Sequence, residues 1–127
     1  LGATDAIPAL RRAMRDPEWW VRSNAARALR ESGTRGLAAL EAALEDEDRF
    51  ARHQAVLMLE ELGEVDARVR ALGRDGPERE RAETFVRKLV DAGGTERLEA
   101  LARNGSDGPA AVSLARLLSA PGESARR

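Results

Sequence analysis

The chain contains no cysteine, which removes disulfides, thiol nucleophiles and Cys-ligated zinc in one step and leaves the redox compartment open. Tyrosine is absent too, and aromatic residues reach only 3%. Val and Ile are sparse beside Ala and Leu, so long β-strands are disfavoured and helices expected. No apolar run approaches the roughly 20 residues that span a bilayer, and no secretory signal pattern opens the sequence. Nor is charge of one sign in excess. The 21 basic and 22 acidic residues leave a net charge of −1, so a nucleic-acid or anionic-membrane partner is disfavoured.

Catalytic signatures are missing as well. His53 is the single histidine, which makes no metal site without carboxylate partners and gives the scattered serines no second imidazole to draw on. Neither G-x-S-x-G nor G-x-x-x-x-G-K-[ST] occurs. The acidic turn Asp46-Glu47-Asp48 lacks the glycine and distal glutamate of a calcium loop, and reads as helix-capping charge. The charged stretch GRDGPERERAETF carries no phosphate-loop pattern and suits an exposed helix start.

What is present is repetition. Gly33, Gly63 and Gly93 stand 30 residues apart, and Leu29, Leu59 and Leu89 share that period. Val56 and Val86, Arg22 and Arg52, and Asp16 and Asp46 do the same. Four units follow, at about 1–33, 34–63, 64–93 and 94–122, with a disordered tail over 123–127. Internal periods of this length signal stacked supersecondary units.

Each unit divides into two helical halves. Leu37, Leu40 and Leu44 make one apolar stripe; Ala51, Ala55, Val56, Leu59 and Leu62 make another, closed by Gly63 as a left-handed cap. In the first unit Asp16 is expected to cap the second helix, with Pro17 at its first position. Pro77 and Pro109 repeat that logic. An isolated pair cannot bury its stripe, but stacking against the next pair can. The expected fold is therefore all-α, a right-handed α-solenoid of about four helix pairs.

Asp16-Pro17, Val21-Arg22, Ala25-Ala26, Ala28-Leu29 and Gly33 resemble the HEAT repeat in its short bacterial form, first noted in phycobilisome-lyase-like proteins. Asp46, Ala51-Arg52, Ala55, Leu59 and Gly63 continue the likeness, which loosens beyond residue 63. Arg81-Ala82 replaces Val-Arg there, and Phe85 replaces an alanine. The resemblance implies structural roles for Asp16, Trp19, Arg22, Asp46 and Arg52. The Asp and Arg would bridge the turn and the neighbouring repeat, and Trp19 would plug the space between helices. It also implies that second helices line the concave side.

On that side the positions facing away from both stripes are Ser23, Asn24, Arg27 and Arg30, then His53, Gln54, Leu57 and Glu60, then Glu83, Thr84, Arg87 and Val90. Trp20 and Phe50 occupy equivalent positions. They form either an aromatic strip, which would mark an interface, or a fold-back over a neighbouring helix. The candidate binding residues are Trp20, Asn24, Arg27, Arg30, Phe50, His53, Leu57 and Arg87.

The reading is a non-catalytic protein-interaction or scaffolding module, without metal or cofactor and expected as a monomer. Its partner would be a protein, a peptide or an upstream domain of the same chain. The opening on Leu1 in mid-repeat suggests the C-terminal part of a larger bacterial protein, with a cytoplasmic location favoured. The alternative is an enzyme-associated HEAT protein, similar to a bilin lyase subunit or to a DNA-binding alkyl-base glycosylase solenoid.

Overall fold

Alanine and leucine favour the helix, and their spacing at three and four residues gives each helix a single stripe to bury. The computed structural model, which describes residues 3–104 and 108–119, realises this pattern. It shows eight α-helices and, among the described residues, no strand. They gather into two compact units, Leu1–Glu61 and Leu62–Arg127. The expected tail over 123–127 lies outside the described residues.

The first unit holds α1 (Ala3–Ala13), α2 (Trp19–Arg30), α3 (Gly33–Ala43) and α4 (Arg49–Glu61). Helices α1 and α2 pair, as do α3 and α4, and the pairs stack with α1 against α3 and α2 against α4. Leu29, Leu40, Leu44 and Leu59 are shut away from solvent, with Ala25, Ala26, Ala43, Ala51 and Ala55 between them. Each such leucine is worth about 1.5–3 kcal/mol of burial, and the alanines let the axes close in. A close approach falls at Gly36, where a Cβ would collide with the backbone carbonyl of Leu29.

The second unit holds α5 (Glu64–Ala71), α6 (Pro77–Asp91), α7 (Thr95–Asn104) and α8 (Pro109–Ser119). Pro77 opens α6 and Pro109 opens α8, where a missing N–H costs nothing. Helix α6 ends in a Schellman motif: the Gly94 N–H donates to the Leu89 carbonyl at 2.8 Å and the Gly93 N–H to that of Val90 at 3.0 Å. Gly93 stands at φ 91° there, which favours glycine. Helix α5 has only 8 residues, and the side chain that replaces an alanine, Phe85, is fully buried, as are Val65, Leu72 and Leu98 of the same unit.

Two expectations about the first turn are corrected. Helix α2 begins at Trp19 with Glu18 as its N-cap, so Pro17 lies in the turn and Asp16 is not the cap. Asp16 instead accepts the Glu18 N–H on Oδ1 at 2.9 Å, a local turn that competes with helix start. Trp19 is not a plug either. It is 69% exposed, whereas Met14, just after α1, is fully buried. Arg22 closes the turn from above, donating to the carbonyls of Asp16 and Pro17 at 2.8 and 3.0 Å.

Candidate functional site

The two turns of the first unit are built from the same parts. Arg52 donates to the carbonyls of Asp46 and Glu47 at 2.8 and 2.9 Å, repeating what Arg22 does at Asp16 and Pro17. The arginine therefore holds backbone, not the carboxylate six residues before it. Arg22 also reaches the next repeat, with its guanidinium 4.3 Å from the centre of the Phe50 ring.

Asp46 faces the preceding repeat. Its Oδ2 accepts Nε and Nη2 of Arg15 at 3.3 and 3.0 Å, and Arg11 Nη2 stands 3.6 Å away. Its Oδ1 accepts the Asp48 N–H at 2.9 Å. Burial opposes the Asp46 charge, but the Asp48 N–H and the two arginines outweigh it and hold the carboxyl below its ordinary range. This pairing spans 31 residues, and so do Arg30 with Glu61 and Arg97 with Asp66. The last is bidentate, at 3.0 and 2.6 Å. Arg97 lowers the Asp66 carboxyl as well. The period of the chain thus reappears as ion pairs between neighbouring repeats within each unit.

The surface left over is the outer side of α2 and α4. Trp19 and Trp20 open α2, with Trp20 53% exposed. Asn24, Arg27 and Arg30 continue along the same helix, all exposed. On α4 the exposed series is Phe50, His53 and Leu57, the last at 44%. Phe50 is the least open of the three aromatics on these two helices, and Arg49 lies 5.1 Å from its ring in addition to Arg22. The anticipated aromatic strip is therefore the Trp19–Trp20 pair first, with Phe50 as a ring framed by cations. Arg30 carries the Glu61 pair at 3.2 Å, whereas Arg27 has no acidic partner among the described residues. Arg87 is exposed on α6 in the second unit.

Three contributors escaped the sequence reading. Met14 stands one period before Leu44, but as a methionine beside an Arg-Asp turn it was not assigned to the stripe. Gly36 falls inside a helix, where glycine usually weakens. The Arg15–Asp46 pair was legible only in the separation of 31, a distance that no local motif highlights. Among the described residues no group of three His, Asp or Glu is placed to hold a metal ion. No described helix is long and apolar enough to cross a membrane. A recess of about 360 Å³ in the second unit has Val69, Leu101 and Leu114 on its floor. Its polar groups are largely committed: Asp66 to Arg97, and Arg74 to Glu78.

Residues 1–60 match a family model described as HEAT repeats. No curated protein and no solved structure matches the chain.

Proposed function

We propose, from the membership of residues 1–60 in the HEAT-repeat family, that this chain is a non-catalytic interaction module whose α2 and α4 face docks a protein segment. The observation that carries this reading is the adjacent pair Trp19 and Trp20, both more than half exposed at the start of α2. A soluble surface seldom spends its only two tryptophans on water, and tryptophan is the residue most enriched among interface anchors.

The chemistry of the face describes the occupant. Trp19, Trp20 and Leu57 offer apolar area, and Arg27 offers a guanidinium with no internal carboxylate opposite it. A partner segment with one or two bulky apolar side chains flanked by an acidic residue complements both features. His53 and Asn24 supply polar contacts at the rim, and Phe50 holds its place between Arg22 and Arg49.

The test uses a photo-crosslinking residue at position 20 and another at Arg35, an exposed position on α3. Position 20 is expected to capture one protein that position 35 does not. Binding of that protein, once purified, should weaken at least tenfold on Trp19→Ala and on Leu57→Asp, and stay unchanged on Val112→Asp in the second unit. Equal binding by all of these variants would reject the face.

A further inference from the structure

We propose that the end of α1 and the turn after it carry an anion site, formed by Arg11, Arg12 and Arg15, that takes a phosphoryl group borne by a small molecule or by a phosphorylated protein segment. This site lies on a different helix from the α2 and α4 face, and neither reading depends on the other.

The spacing of Pro8, Arg11 and Arg12 follows the helical turn, which sets the three along one side of α1, and Arg15 follows in the turn just beyond its end. Together they line a recess of about 240 Å³. Of the three arginines that line it, two face one carboxylate oxygen. Asp46 Oδ2 takes two donors from Arg15 and stands 3.6 Å from Arg11, beyond hydrogen-bond length. The second Asp46 oxygen is occupied by the Asp48 N–H.

Of the other acids of that turn, Glu45 and Glu47 are exposed, and Asp48 caps α4 through the Ala51 N–H. Arg11 has its Nε–H buried with no acceptor, and Arg12 is exposed with no ion pair among the described residues. A donor without an acceptor on Arg11 and an arginine without an ion pair at Arg12, among the described residues, are thus the surplus on that side of the recess.

A phosphoryl dianion suits that surplus better than a carboxylate. It brings up to two negative charges and three acceptor oxygens, and the planar fork of arginine matches it in bidentate fashion. The site is a compact cluster, not a charged stripe along the molecule, so it fits a single phosphate group and not a nucleic-acid backbone.

The test is a titration of the ¹⁵N-labelled chain with inorganic phosphate at constant ionic strength, followed through the arginine Nε–Hε signals. Arg11 and Arg12 are expected to shift saturably with phosphate and not with chloride or acetate. Arg12→Ala should weaken phosphate binding about tenfold, which is about 1.4 kcal/mol. Arg81→Ala, an exposed arginine on α6, should leave it unchanged.

O-phosphoserine and a phosphoserine peptide identify the source. Matching affinities for the two support a small phosphorylated ligand, and tighter binding of the peptide supports a protein segment. Shifts that fail to saturate, that chloride or acetate reproduces, or that survive Arg12→Ala unchanged would overturn the site.

Discussion

Asp46 is the side chain on which most of the first unit's polar order converges. Its carboxylate binds a preceding-repeat arginine, fixes the turn through the Asp48 N–H, and is 7% exposed as a residue. Removing its charge while keeping its shape, in Asp46→Asn, should cost about 2 kcal/mol at neutral pH, the range for hydrogen bonds to a buried charged group. The pH dependence follows from the lowered carboxyl. A depressed folded value means that the stabilisation is present above the unfolded value near 3.9 and is lost as pH falls through the folded one. Urea titrations should show a constant gap between the native chain and Asp46→Asn from pH 7 to about 5, closing on further acidification. A gap independent of pH would mean that the carboxylate charge contributes nothing. Gly36 makes a second test at this scale. Its missing Cβ is what lets α3 approach the Leu29 carbonyl, so Gly36→Ala should lower stability by about 3 kcal/mol, although alanine is the better helix former.

At the scale of the element, the two turns of the first unit differ in one informative respect. Asp48 caps α4 by accepting the Ala51 N–H on Oδ2 at 3.0 Å. Glu18, the corresponding residue before α2, makes no side-chain cap, because its longer chain is less suited to fold back on the first turn. Asp48→Ala should therefore cost about 1 kcal/mol, and Glu18→Asp should gain up to about 1 kcal/mol. Both are measurable from urea midpoints. The helices themselves were legible in the sequence, since period, apolar spacing and the prolines that open α6 and α8 all pointed one way. The start of α2 was not. An Asp-Pro pair reads as a cap followed by the first helical position, yet Asp16 satisfies the Glu18 N–H locally and delays the helix to Trp19. The second turn does the same, with Asp46 accepting the Asp48 N–H and α4 starting at Arg49.

At the scale of the whole molecule, the repeat period accounts for where the apolar side chains go within each unit and for the ion pairs at a separation of 31. It says little about which surface is used, because repeated positions are the ones committed to the stack. The candidate site is written in the departures from the repeat: two tryptophans where the second repeat has Arg49 and Phe50, and Leu57 where the first has Arg27. The repeat register pointed to Trp20 and Leu57; only the three-dimensional placement brought in Trp19 and showed two guanidiniums close to the Phe50 ring. The account rests on Trp19 and Trp20 being open to solvent in the free protein. Since they are the chain's two tryptophans and it has no tyrosine, acrylamide quenching of the native fluorescence, compared with that of the urea-unfolded chain, reads them directly. Nearly equal quenching in the two states, with a water-like native emission, is the predicted result. A blue-shifted native emission strongly protected from acrylamide would contradict it.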